Sequence, residues 1–377
     1  MCVVDVSVII PLYKGIRYID EKIKMIRNAN VDKRVEIIFV NDYPEDNDFV
    51  DSYIEEKGNY IKIIKHSVNQ GIHQSRVDGL KKARGKWILF LDQDDSIEPL
   101  FFSIIEKKSG ENVSGIACNG YWRGVKEVFS EEIKSKKRFT NEKDYIKYGY
   151  PLVSTGQLII KKNEIPVEWI DHPLEHNGCD DLLLWIMLMI DHKKIVICDE
   201  IYYKHIEHDA NASFNYGEMA ESIAECVTII EKQKKVNEDS KKKIKKRLND
   251  KYYKYSCYNE VFELNKTIDK DIISDYFVKK RWNEVAIYGY GIIGKMLEKQ
   301  LDSANINIKY IIDDKMSVIE RSDKNIKAIN DRLDYVDIII VTPIYEYEEI
   351  EKTIKKNIHF PTESILNLYK EMAKSNH

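Results

Sequence analysis

The sequence predicts an α/β fold: a parallel sheet covered by helices, then a helical stretch, then a second and smaller α/β unit. Three observations predict it. Apolar, β-rich runs alternate with helical periodicities through the first hundred residues. Polar residues gather directly after two of those runs, at Asn41-Asp42 and at Asp92–Asp95, where open α/β sheets bind their ligands. After a lysine-rich stretch the strand–turn–helix pattern restarts at the glycines near Gly289.

The elements follow in order. VSVIIPLY is a strand punctuated by Pro11 and Gly15, and IDEKIKMIRNA has helical spacing with Ile19, Ile23 and Ile26 on one face. VEIIFVND is a buried type of strand ending in polar residues, NDFVDSYIEEKG a short helix and YIKIIKH a strand. IHQSRVDGLKKARG is a helix closed by Gly85, and KWILFLD the next strand. LLLWIMLMI, starting at Leu182, has the length of a buried helix segment, well below the ~18 apolar residues needed to span a bilayer. From Gly217 to Arg281 the chain reads as helix without proline, dense in lysine. EVAIYGYGIIGKMLEKQLDSANINIKYIIDD then reads strand, turn, helix, strand, and VDIIIVTPIYEYEEIEKTIKK repeats strand to helix. The expected division is residues 1–215, a helical connector over 216–281, and a Rossmann-like module over 282–377.

Composition narrows the function. A chain of 377 residues with 43% hydrophobic and 32% charged residues has material for real cores, and a net charge of −4 gives no argument for nucleic acid. Six scattered cysteines without C-x-x-C spacing suit a reducing compartment better than a zinc site or disulfide framework. The opening MCVVDVSVIIPLY reads as a strand rather than a signal peptide, so a cytoplasmic location is expected. Lys241–Lys254 has two readings: a solvated helix face, or a patch for anionic headgroups at the inner face of the membrane.

The chemistry concentrates in WILFLDQDDSIEP. Three carboxylates within four positions repel, and burying them unpaired is costly. A D-x-D after a strand suits Mg²⁺ or Mn²⁺, whose hard-oxygen preference is met by a carboxylate or two plus phosphate oxygens. Alone, such a loop is more often a solvated turn or cap.

It is not alone. VSVIIPLYKG, IIFVNDYPED, NQGIHQSRVDGLKKARGKWILFLDQDD and CDDLLLWIML, in that order, resemble the signature of family 2 glycosyltransferases with the GT-A fold, over residues 5 to about 213. The resemblance implies a nucleotide-sugar donor, most often a UDP-sugar, a divalent cation and an inverting transfer to a glycan or polyol acceptor of cell-surface polysaccharide synthesis. It implies a base pocket lined by Pro11 and Tyr13, with Asp42 accepting from the base. The family's usual Asp-Asp-Gly-Ser is here Asn41-Asp42-Tyr43-Pro44. Asn69, Gly71 and Arg76 belong to the donor block, Arg76 toward the base or phosphates; Asp92 is expected at the ribose, Asp94 on the metal and Asp95 in support.

On the acceptor side the family's Glu-Asp pair matches Asp180-Asp181, with Asp181 as base and Asp180 at the acceptor or as a cap; on the pair alone, helix-terminus complementation would suffice. A helix terminus also predicts an ionised, weakly basic Asp181. YYKHIEHDANAS resembles the family's diphosphate-facing segment, which makes Lys204 a candidate for the diphosphate and His205 and His208 candidates for the diphosphate or metal. His172 and His176 stand at the acceptor entrance or are ordinary loop residues.

Gly289, Gly291 and Gly294, with Asp313 ending the next strand, form a dinucleotide fingerprint in context. The unit resembles small Rossmann-like modules of polysaccharide enzymes: a second nucleotide site on one reading, a structural or dimerising module on the other. A nicotinamide-dependent oxidoreductase or epimerase is the alternative function, but no Tyr-x-x-x-Lys pair accompanies the fingerprint and NAD is not expected. A non-catalytic glycan-binding scaffold is the third.

Overall fold

A computed structural model describes residues 4–29, 34–54, 60–110, 112–122, 126–206, 215–314 and 325–375. The chain divides into two compact units, Met1–Asp250 and Lys251–His377.

The first unit is built on a ten-stranded sheet. Its strands are β1 (Val6–Leu12), β2 (Val35–Asn41), β3 (Ile61–Lys65), β4 (Trp87–Phe90), β5 (Ser96–Ile97), β6 (Gly115–Trp122), β7 (Lys126–Glu127), β8 (Arg138–Phe139), β9 (Leu158–Lys161) and β10 (Ile195–His205). The order is β3-β2-β1-β4-β9-β6-β10-β5, with β7 beside β6 and β8 beside β10. The four strands of the first hundred residues that read as apolar runs are parallel, β1 pairing with β2 and β4, and β2 with β3. Beyond them the sheet is mixed: β9 runs antiparallel to both β4 and β6.

Continuous burial explains the central strands. Every residue of β1 is buried, and Val6, Val8, Ile10 and Leu12 pack on Ile19, Ile23 and Ile26 of the Ile19–Asn28 helix. On the other face the Gly71–Lys82 helix approaches so closely that a Cβ on Gly79 would meet Ile9 Cγ2 at 2.3 Å. The apolar run at Leu182 is the Asp180–Ile190 helix, buried from Leu182 to Ile190. Such burial all round marks a core helix. Among the described residues no helix is long and apolar enough to cross a membrane.

The stretch after 216 is helical, as Tyr216–Glu231, Glu238–Asn265 and Lys270–Lys280. Several of its lysines are matched by acids: Lys241 with Glu238 at 2.8 Å, Lys243 with Asp239 at 2.6 Å, and Lys245 with Glu231.

The second unit holds β11 (Glu284–Tyr288), β12 (Asn307–Ile312), β13 (Ile326–Lys327), β14 (Ile338–Val341) and β15 (Thr362–Ser364) in the order β13-β12-β11-β14-β15, all parallel. This is the strand order of a doubly wound sheet. Gly289 has φ +89°, and a Cβ on Gly294 would lie 2.2 Å from the carbonyl oxygen of Gly289. Gly289 is thus required by its backbone conformation and Gly294 by close backbone approach.

Candidate active site

The site lies at the carboxyl ends of β1, β2 and β4, and begins with Arg76. Helical spacing places it on the sheet side of the Gly71–Lys82 helix, where it is 3% exposed. Its Nη1 donates to Asp180 Oδ2 at 2.5 Å and its Nη2 to Asp92 Oδ1. One guanidinium therefore joins the D-x-D loop to the first turn of the Asp180–Ile190 helix, holding together carboxylates 88 positions apart in the chain. Burial disfavours the cation, but Asp180 and Asp92 override it and raise its pKa.

The three carboxylates of the loop have different surroundings. Asp92 also accepts from Ser154 Oγ at 2.7 Å; burial, with Asp95 and Asp94 nearby, pushes its pKa up against the pull of Arg76. Asp95 is fully buried and accepts from Tyr203 Oη, from His205 Nδ1 at 2.9 Å and from the Ile206 amide at 3.0 Å. Asp94 is only partly buried. Beneath the loop lies Lys22, at 0% exposure, whose ammonium donates to the Asp95 carbonyl. Burial lowers its pKa, and Glu21, Asp95, Asp94 and Asp92 oppose that. The repulsion among the acids is thus offset by two buried cations, Arg76 and Lys22, and by hydroxyl and amide donors. The signal for Lys22 was in the sequence: it sits three residues after Ile19 and four before Ile26, on the apolar helix face.

Gln93, the middle residue of D-x-D, clamps the loop to β1. Its Oε1 accepts from the Tyr13 amide at 3.0 Å and its Nε2 donates to the Tyr13 carbonyl at 3.2 Å. Pro11 is buried in β1, whereas Tyr13 is exposed, edge-on to Tyr43 at 5.4 Å, with the Lys14 ammonium 5.2–5.5 Å from both rings. Asp42 is buried at the end of β2. Its Oδ1 accepts from His66 Nδ1 at 2.8 Å and the Gln70 amide at 2.7 Å, and its Oδ2 from the Gly71 amide at 2.8 Å. Asn69 is exposed and caps the same amide at 3.0 Å. Gly71, at φ +85°, makes the turn into the helix. His66, which the sequence did not single out, therefore helps fix Asp42.

At the start of the Asp180–Ile190 helix, Asp180 is buried and paired with Arg76, and its carbonyl accepts from Trp169 Nε1 at 2.8 Å. Asp181 accepts from the Leu182 amide at 2.6 Å and from Tyr150 Oη at 2.9 Å. Here the expectation of an ionised, weakly basic helix-terminal carboxylate is corrected. Burial and the neighbouring Asp180 push Asp181 up to about 7, outweighing Arg76 and the Tyr150 hydrogen bond.

The loop before this helix is held by the Tyr216–Glu231 helix. Glu225 accepts from the Glu175 amide at 2.8 Å and His176 Nδ1 at 2.5 Å, which raises the His176 pKa, and Ser222 accepts from the Cys179 amide at 3.1 Å. Asn177 Oδ1 accepts from the Ile72 amide at 2.9 Å, tying this loop to the Gly71–Lys82 helix. His172 is exposed. Lys204 pairs with Glu98, and His205 faces Asp95; His208 lies outside the described residues. Among the described residues no group of three or more His, Cys, Asp or Glu side chains converges as a ready-made metal cage.

In the second unit Asp313 Oδ2 accepts from the Tyr290 amide at 2.8 Å, within the glycine turn, and a Cβ on Gly291 would meet nothing within 4 Å. Asp313 thus joins the fingerprint glycines in space.

Comparison with known proteins places the segment that carries these residues. Residues 7–163 match the family model described as Glycosyl transferase family 2. The putative glycosyltransferase EpsH of Bacillus subtilis is 34% identical over 116 residues, 30% of this chain and 33% of that protein. The poly(ribitol-phosphate) beta-glucosyltransferase of Bacillus spizizenii is 27% identical over 215 residues, 54% of this chain and 32% of that protein. The chain spans about a third of the length of these curated relatives. Among solved structures, S. aureus TarS 1–349 in complex with UDP-GlcNAc has a TM-score of 0.51 at 17% identity, covering 66% of this chain and 72% of that one; the likeness is one of fold.

Proposed function

Residues 7–163 are a family 2 glycosyltransferase segment within a GT-A fold, and on that premise we propose that the chain transfers a sugar from a nucleoside-diphosphate donor to a hydroxyl acceptor in cell-surface polysaccharide synthesis. The observation that carries the proposal is the Arg76 bridge between Asp92 and Asp180. It brings the acidic loop expected at the donor beside the helix whose Asp181 would serve the acceptor.

In this reading the donor is a UDP-sugar, with Tyr13 and Asp42 toward the base and Asp92 toward the ribose. Asp181 takes the proton of the acceptor hydroxyl while that oxygen attacks the anomeric carbon. The bond from that carbon to the diphosphate oxygen breaks, and the leaving nucleotide carries away the electron pair. Attack from the face opposite the leaving group inverts the configuration. A carboxyl near 7 is half ionised at neutral pH, better matched to this task than an ordinary aspartate.

Mn²⁺ or Mg²⁺ fits the hard carboxylate oxygens of Asp94, with His205 as a further candidate, and would neutralise charge on the departing diphosphate. The Bacillus spizizenii relative makes a polyol-phosphate polymer the first acceptor to try, with UDP-glucose and UDP-GlcNAc as first donors. The proposal includes a three-part organisation, with 282–377 as a nucleotide-binding or structural module, and a cytoplasmic place of action, in solution or at the inner face of the membrane.

The test is UDP release from these donors with and without Mn²⁺. Loss of release in Asp94→Ala and Asp181→Ala is expected; retained turnover in both would falsify the assignment.

A further inference from the structure

Tyr150 is absent from every motif in the sequence, yet the fold delivers its hydroxyl to Asp181. The Glu142–Tyr148 helix is started by Asn141, whose side chain accepts from the Lys143 amide at 3.0 Å, and it stops at Gly149 with φ +77°. Only glycine adopts such a backbone cheaply. The turn is fixed from outside by Arg247, which donates to the carbonyls of Ile146 at 2.8 Å and Lys147 at 3.0 Å; a Cβ on Gly149 would meet its guanidinium at 3.1 Å. The chain therefore leaves the turn in one direction, and the Tyr150 ring lands edge-on to Trp185 at 6.0 Å. Trp185 lies one helical turn after Asp181, at i+4, so the same helix face carries ring and carboxylate.

Among the described residues each oxygen of Asp181 then has one protein donor: Oδ1 the Leu182 amide at 2.6 Å, Oδ2 the Tyr150 hydroxyl at 2.9 Å. A carboxylate oxygen accepts two hydrogen bonds, so each retains capacity for a substrate proton. We propose that Tyr150 is a positioning residue, holding the Asp181 carboxylate in the one orientation from which it accepts the proton of the attacking hydroxyl. The proposal rests on Asp181 being the base.

The charged and titratable groups around Asp181 are Asp180 on its own helix, Arg76 on the donor helix, Tyr150 and the buried Cys226. Tyr150 is the donor that can be removed without touching a charge. A hydroxyl donating to the ionised form stabilises that form, so its loss raises the carboxyl pKa.

Tyr150→Phe keeps the ring on Trp185 and removes only the donor. Two measurements test it. Carbon-13 carboxyl titration of the full chain, with Asp181→Asn assigning the resonance, should show the Asp181 midpoint rising by about half a unit or more in Tyr150→Phe. Hydrolysis of UDP-glucose and UDP-GlcNAc with water as acceptor should show kcat falling about tenfold with little change in donor KM, and the acidic limb of the pH profile moving up by the same amount. An unmoved carboxyl midpoint overturns the proposal whatever the activity does. Hydrolysis surviving in Asp181→Asn sinks the assignment of Asp181 as base instead, so the two failures are distinguishable.

Discussion

Arg76 Nη1 lies 2.5 Å from Asp180 Oδ2, and both groups are buried. Arg76 also holds Asp92, so one guanidinium ties both acids together inside the protein.

Removing the guanidinium leaves two carboxylates facing each other without a cation. Arg76→Met should cost about 3–5 kcal/mol of stability, the usual scale for one partner lost from a buried ion pair. Arg76→Lys keeps the charge but has no fork to reach both acids, so it should fall between. Urea unfolding of the three proteins checks the order, and Arg76→Lys equal to wild type would contradict the bridge.

Asp181 sets an expected pH dependence. In the proposed function Asp181 is the base, and with its pKa raised to about 7 it is protonated, and useless for accepting a proton, below that pH. Turnover under kcat/KM conditions should therefore fall about tenfold per unit below pH 7 and level off above it. An ordinary helix-terminal aspartate would place that limb near pH 4. A flat profile from pH 5 to 8 contradicts the environment described for Asp181.

Gly294 tests what the glycine fingerprint does for the second unit. The missing Cβ would sit 2.2 Å from the Gly289 carbonyl oxygen, a backbone atom that cannot swing away. Gly294→Ala should destabilise the unit by about 1–3 kcal/mol through overpacking, with no ligand present. Hydrogen exchange at the buried β11 amides of Ala286 and Ile287 reads this directly, and unchanged protection would show that the helix start can shift.

The sequence made some of this visible and hid the rest for physical reasons. Continuous apolar runs and turn residues revealed β1 to β4 and the placement of Asp42 and Asp92 at their carboxyl ends, because a two-sided buried strand has few alternatives. The antiparallel β9 was not visible: LIIK is four residues long and carries no periodicity that separates strand from helix. The partners of the site residues were hidden for another reason. Ser154, Tyr150 and His66 reach Asp92, Asp181 and Asp42 across 62, 31 and 24 positions, and only folding reveals such pairs. Lys22 was the exception, a charge on an apolar helix face.

His73 supplies a stability signature of the same architecture. Its Nδ1 accepts from the Leu174 amide at 2.9 Å, so that nitrogen carries no proton, and its Nε2–H donates to the Trp169 carbonyl at 3.0 Å. Protonation would break the first bond and place a cation beneath the Trp169 ring in a buried site, and burial accordingly lowers the pKa from 6.5 to about 4. The sign follows from which state binds the proton: between these values the unfolded chain protonates His73 and the native protein does not. The stability from neutral His73 is complete above pH 6.5 and is lost as pH falls toward 4, by about 3 kcal/mol over the window. Urea unfolding at pH 7, 6, 5 and 4.5 should show this slope in wild type. His73→Gln, which has no proton to take up, should be less stable at pH 7 and flatter below it; parallel slopes in the two proteins would place the acid sensitivity elsewhere.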